Sequence, residues 1–186
     1  ASISVKALGF IYQVLVIRMI GTEGIGVFNM IYPLYSTILI LATSGIPTAL
    51  TKYVAEENAR NNIQNINRFM AMAISIVLFS STLCSLLLII VSPHLIRRLY
   101  TDPRVIPAFL IMVPTLLMVA VSSCIRGYFQ GLQDMRPTAI NQIIEQIIRF
   151  CSGLLIIYLL SPYGLTWATV GMASAILLSE AGGLLY

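Results

Sequence analysis

Residues 138–149 read Thr138-Ala139-Ile140-Asn141-Gln142-Ile143-Ile144-Glu145-Gln146-Ile147-Ile148-Arg149. At about 100° per residue, Thr138, Asn141, Gln142, Glu145, Gln146 and Arg149 fall within an arc of roughly 140° on a helix, and five isoleucines cover the opposite side. Apolar residues continue to Leu160, so the stretch reads as the first half of a membrane span. At 1.5 Å per residue, Glu145 lies about 10 Å and Arg149 about 16 Å into that span. Each such charge costs about 2.5–3.5 kcal/mol on insertion scales, so the helix is expected to turn this stripe toward a protein interior or a water-filled cavity.

The rest of the chain fits that setting. Of its 186 residues, 58% are hydrophobic and 10% charged, with a mean hydropathy of +0.91. Soluble domains carry about 25% charged residues, so the class is an integral membrane protein. The net charge of +4 is spread between apolar runs. It reads as loop charge facing lipid headgroups, and no nucleic-acid partner is expected. Cys84, Cys124 and Cys151 have no metal-binding spacing and read as free thiols.

Six apolar runs have the length of a membrane crossing, about 20 residues. They cover roughly 1–20, 27–55, 67–91, 105–123, 138–160 and 164–186. Gly21-Thr22-Glu23-Gly24-Ile25-Gly26 separates the first two, Ser92-Pro93 ends the third, and Ser161-Pro162-Tyr163-Gly164 turns the fifth into the sixth. The second run is too long for one straight crossing, at about 44 Å. Pro33 can bend it, and Ser44-Gly45-Ile46-Pro47 can break it. The expected fold is an all-α, six-helix transmembrane bundle in a single domain, residues 1–186. The chain begins and ends inside apolar runs and reads as part of a longer protein.

Alternation of the spans puts Lys6, Lys52, Arg60, Arg68, Arg126 and Arg136 on one side and Arg18, Arg97, Arg98 and Arg104 on the other. The excess favours both ends cytoplasmic. Tyr163 and Trp167 fit an aromatic belt on the outer side.

Glu145 and Arg149 stand four apart, acid first, the favourable order for an ion pair within one helix. The pair reads either as part of a cavity for a charged substrate or coupling ion, or as a lock between two spans. The flanking amides Asn141, Gln142 and Gln146 favour the cavity. Lys6 and Gln13 share a face of span one and are candidates for the same wall, while Arg18 suits the headgroup region. Arg126, Gly127, Gly131, Asp134 and Arg136 lie in the connection to span five and suit a loop that bends as helices rock. His94 is the only histidine and cannot build a metal site alone. No nucleophile elbow, phosphate loop or metalloprotease signature is present, so no enzyme activity, cofactor or metal is expected.

Several segments together resemble one family: Leu8-Gly9-Phe10-Ile11-Tyr12, Ile20-Gly21-Thr22-Glu23-Gly24-Ile25-Gly26, Ser44-Gly45-Ile46-Pro47-Thr48-Ala49 and, above all, Arg126-Gly127-Tyr128-Phe129-Gln130-Gly131-Leu132-Gln133-Asp134-Met135-Arg136-Pro137-Thr138. The run Gln142 to Arg149 continues the match. The chain is similar to the stage V sporulation protein B group of polysaccharide and lipid exporters. That group lies within the multidrug/oligosaccharidyl-lipid/polysaccharide flippase superfamily and is related to the lipid II flippases. The resemblance implies a protein of the bacterial cytoplasmic membrane with two six-helix lobes around a central cavity, of which this chain is the N-terminal one. It implies a lipid-linked sugar as cargo, moved by rocking of the lobes. The C-terminal lobe, membrane lipids and a coupling ion would be the partners. Relatives carry basic residues on span one; here Lys6 stands where arginine is common, and so does Gln13. On this reading Lys6 and Arg149 attract an anionic headgroup, Glu145 tunes Arg149, and Gln13, Asn141, Gln142 and Gln146 offer hydrogen bonds to sugar. A cation-coupled drug exporter of the same superfamily and a non-transport membrane scaffold remain open alternatives.

Overall fold

The computed structural model describes the backbone of residues 2–43, 45–99 and 105–185, and the side chains of these except 2–4 and 92–99. The expectations for Ser44, His94, Arg97, Arg98 and Arg104 fall outside the residues so described. The described elements are all helical: α1 (Ser2–Thr43), α2 (Ile46–Ala59), α3 (Ile63–Leu99), α4 (Val105–Gly131), α5 (Arg136–Leu160), a 3-10 turn (Ser161–Tyr163) and α6 (Leu165–Leu185). Five of the six α-helices, all but α2, are long and apolar enough to cross a membrane.

The long α1 is not one rod. Gly21 breaks its helical geometry at φ 78°, ψ 175°, a conformation open to glycine because it lacks Cβ. The contacts give the directions of the two arms. Along the first arm, Gly9 meets Gln146 and Tyr12 meets Gly153, while Val16 clusters with Ile157, so this arm runs parallel to α5. Along the second, Gly24 meets Leu165 and Phe28 clusters with Met172, so this arm runs parallel to α6. Helices α5 and α6 are antiparallel, with Gly183 against Glu145 at one end and Gly171 against Ile157 toward the other. The two arms of α1 therefore reverse direction about Gly21.

The break expected at Ser44-Gly45-Ile46-Pro47 is also present. Gly45 adopts the left-handed conformation (φ 73°), and α2 follows it with proline in its first turn, where the missing N–H costs nothing. The stretch expected as one span over 27–55 is thus divided between α1 and α2. At Ser92-Pro93 the described stretch of α3 that is apolar enough to cross a membrane stops at Val91, as expected, while the helix backbone itself continues to Leu99. A proline removes one hydrogen bond from a helix and need not end it.

The connection into α5 is shorter than the sequence indicates. Arg126, Gly127 and Gly131, expected in a loop, belong to the last turns of α4. Only Leu132 to Met135 link the helices. Gln133 takes a left-handed conformation (φ 61°), and the Asp134 N–H returns to the Phe129 carbonyl at 3.0 Å, closing the helix end. Asp134 Oδ1 then accepts the Arg136 N–H at 3.0 Å, satisfying a free donor at the start of α5. Pro137 follows in the first turn.

The centre of the bundle is α4. Its Phe109, Met112 and Leu116 are fully enclosed, packed with Val27, Ile31 and Tyr35 of α1 and with Val170 and Ala173 of α6. Lipid tails are as apolar as leucine, so close backbone approach contributes much of the packing between helices in a membrane. Gly127 and Gly131 supply it against α2. The Thr51 hydroxyl donates to the Gly127 carbonyl at 3.0 Å, and a Cβ at position 131 would stand 2.6 Å from Val54 Cβ.

Gly131→Val is therefore expected to destabilise the full-length protein by about 1–3 kcal/mol through overpacking. Gly26→Ala, with nothing within 4 Å of its added Cβ, is expected to be neutral or stabilising by up to about 1 kcal/mol. Thermal unfolding in detergent compares them; equal midpoints would remove the α2–α4 contact as a packing site.

Candidate functional site

The polar stripe of α5 faces inward. Glu145 and Gln146 are each 9% exposed, whereas Ile140, Ile143 and Ile147 on the other side are 37–48% exposed. This inverted arrangement is what a helix with charges at membrane depth requires. Solvating groups must come from neighbouring helices, because lipid supplies none.

Two ion pairs meet that need, and neither is the one expected from the sequence. Glu145 and Arg149 do not pair with each other. Glu145 Oε1 accepts from Arg126 Nη1 of α4 at 3.4 Å and from Asn141 Nδ2 at 2.7 Å. Arg149 Nη2 donates to Glu180 Oε1 of α6 at 3.4 Å, and its Nε donates to the Ser179 hydroxyl at 3.1 Å. The physical reason lies in the bundle. An i,i+4 pair suits a helix whose only neighbour is solvent, but here α4 and α6 lie against the polar face and present charges of their own. Gly183 makes the room: a Cβ there would stand 2.6 Å from Glu145 Cγ.

Beside these pairs lies a cavity of about 260 Å³ between both arms of α1, α5 and α6. Its polar lining is Tyr12, Gln13, Asn29, Tyr32, Gln146 and Arg149, set among Val16, Phe28, Met172 and Ile176. Arg149 is the one charged group in this lining. A second cavity, of about 460 Å³, opens between α4, α5 and α6 and takes in Arg126, Thr138 and Asn141. A third, of about 540 Å³, lies between α2 and α4 and includes Lys52, Thr51 and again Arg126.

The residues singled out from the sequence separate accordingly. Gln13, Gln146 and Arg149 come together around the first cavity. Asn141 and Glu145 belong to the neighbouring pair with Arg126. Lys6 is exposed and Gln142 half-buried, and neither lines these cavities. Gly127 and Gly131 pack on α2, Asp134 holds the start of α5, and Arg136 is exposed. Sequence reasoning missed Tyr12, Asn29, Tyr32 and Ser179 as parts of the site. A signal existed for Asn29, a lone amide in an apolar run four residues before Pro33. Proline has no N–H to offer the Asn29 carbonyl, so this polar backbone group stands at the same place.

A double-mutant cycle on thermal stability separates the two pairings. Arg149→Ala with Glu180→Ala is expected to show a coupling on the order of 1–3 kcal/mol, and Arg149→Ala with Glu145→Ala a smaller one. A larger coupling for the second pair would restore the within-helix pairing.

A family model described as "Polysaccharide biosynthesis protein" matches residues 1–186. Stage V sporulation protein B of Bacillus subtilis (strain 168) is 32% identical over 186 residues, covering 100% of this chain and 36% of that protein. Lipid II flippase MurJ of the same organism is 29% identical over 164 residues, 84% of this chain and 29% of the relative. An uncharacterized membrane protein of Methanocaldococcus jannaschii, MJ1375, is 23% identical over 189 residues, 96% of this chain and 41% of its own. The chain thus spans about a third of the length of these curated relatives. No solved structure matches it.

Proposed function

The chain belongs to the polysaccharide biosynthesis protein family, and we propose that it forms one wall of a flippase that moves a lipid-linked sugar across the membrane. The observation that carries this reading is the first cavity: an arginine, three amides and two tyrosines enclosed in an apolar membrane bundle. Arg149 offers a permanent positive charge to a phosphate-type headgroup. The side chains of Gln13, Asn29 and Gln146 offer both donors and acceptors, the complement of a sugar's hydroxyls. Tyr12 and Tyr32 add hydroxyls and flat apolar faces.

Size supports a shared site. A volume of about 260 Å³ takes a phosphate group or a single sugar ring, short of the 300–1,000 Å³ of sites for drug-sized ligands. A lipid-linked saccharide needs an opposing wall, which a second lobe of the full-length protein would supply. The name of one relative, a lipid II flippase, fits cargo of this class. Rocking of the two lobes would expose the cavity to each side in turn. The end of the bundle carrying Lys52, Arg60, Arg126 and Arg136 would face the cytoplasm under the positive-inside rule.

The charge of the cavity argues against export of cationic drugs. Glu145 and Glu180, the acids of the stripe and its neighbour, are both held by arginines, and neither lines the first cavity. A site for a cationic compound would want the opposite balance.

Arg149→Ala in the full-length protein is expected to lower flipping of a lipid-linked sugar in proteoliposomes at least tenfold while the protein still inserts. Gln146→Ala is expected to cost several-fold. Transport of a cationic dye, run in parallel, should be negligible in both variants and in wild type. Full flipping by Arg149→Ala, or robust dye export by wild type, would sink the assignment.

A further inference from the structure

Glu180 is bound on one side only. It is 8% exposed, and its Oε1 accepts from Arg149 Nη2 at 3.4 Å, while Oε2 is buried without any hydrogen-bond partner. The hydroxyl of Tyr35, on the second arm of α1, is likewise buried and unpartnered, and Tyr35 lies within electrostatic reach of both Glu180 and Arg149. Glu145 of α5 and Arg126 of α4 also act on Glu180, and they are already paired with each other. Compensation of the Glu180 charge therefore rests chiefly on Arg149.

Arg149 is not fully committed to that task. Its side chain is 29% exposed and lines the first cavity. A guanidinium carries five N–H donors, of which Nε serves Ser179 and one on Nη2 serves Glu180. The remaining donors are free to meet an anion in the cavity. An anion that draws the guanidinium toward itself leaves a carboxylate in an apolar interior with neither oxygen compensated. A buried carboxyl in that position gains by taking a proton, which removes the charge and makes it a donor.

We propose that Glu180 takes up one proton when an anionic headgroup in the cavity draws Arg149 away from it, so that headgroup and proton bind together. The balance is simple: one proton from water joins the Glu180 carboxylate, Arg149 keeps its charge, and no covalent bond to cargo forms. The buried, unpartnered Tyr35 hydroxyl lies within electrostatic reach of that acid. The inference rests on the reading of the cavity as an anion site.

The test uses the purified full-length protein in lipid nanodiscs and isothermal titration calorimetry in buffers of different ionisation enthalpy. The probe is farnesyl-pyrophosphoryl-N-acetylglucosamine, whose pyrophosphate diester does not itself titrate near neutral pH. UDP-N-acetylglucosamine, with the same diester and sugar but no lipid, distinguishes a membrane-borne ligand from a soluble one. Wild type should take up about one proton per probe bound, with affinity falling up to tenfold per pH unit as pH rises. Glu180→Gln, a neutral mimic of the protonated acid, should bind with no proton uptake and a flat pH profile. Arg149→Ala should lose binding. Undiminished binding by Arg149→Ala overturns the anion site itself. Binding that needs Arg149, with proton uptake absent in wild type or unchanged in Glu180→Gln, overturns only the proton linkage. Should Glu180→Gln fail to fold, infrared difference spectra of wild type decide: a protonated-carboxyl band must appear when the probe binds, and its absence overturns the linkage.

Discussion

Four charges in an apolar bundle set the terms for the rest of this structure. At about 2.5–3.5 kcal/mol each, placing Arg126, Glu145, Arg149 and Glu180 at membrane depth unpaired would cost roughly 10–14 kcal/mol, as much as the whole stability of a typical domain. Pairing them across helices answers that cost and ties α4 to α5 and α5 to α6. The surrounding packing is arranged to permit it. Gly183 leaves space for the Glu145 carboxylate, and Asn141 adds a third group to that pair. The isoleucines of α5, turned outward, take the lipid face that the charges vacate.

Much of this arrangement is legible in the sequence because it follows from periodicity. The spacing from Thr138 to Arg149 gives the helix, the polar side and the direction that side must face. Gly21 and Gly45 are likewise readable as breaks, since each takes a backbone conformation that glycine favours. The partners of the charges are not readable in that way. Periodicity relates residues of one helix, so the only mate it offers Glu145 is Arg149. Which helices lie against α5, and at what register, depends on the packing of the whole bundle. Arg126 and Glu180 are 19 and 31 residues from their partners in the chain.

Glycines show the same limit from another side. Gly127 and Gly131 stand beside polar and charged residues and read naturally as a flexible connection. Their spacing of four is also the spacing of a helix face, and α2 lies against that face so closely that a side chain would not fit. Composition alone cannot choose between a bend and a contact, because both use the absence of Cβ. The choice is made by the neighbour, here Thr51 and Val54.

The weakness of a buried ion pair as a source of stability bears directly on function. Attraction between such charges roughly offsets the loss of their hydration, so the pair adds little net stability, while stripping one partner is costly. A site built from such pairs is therefore nearly neutral toward exchanging one partner for another of equal charge, and strongly opposed to losing one outright. Arg149 stands where that asymmetry is useful, with Glu180 on one side and the cavity on the other. On the proposed proton uptake by Glu180, a ligand anion could take over the arginine without leaving a bare carboxylate behind, whereas a neutral or cationic ligand offers nothing in exchange. Under the proposed function, selectivity for anions would follow from this exchange. The two acids differ in their support: Glu145 keeps Asn141 as a second donor beside Arg126, whereas one carboxylate oxygen of Glu180 has no partner.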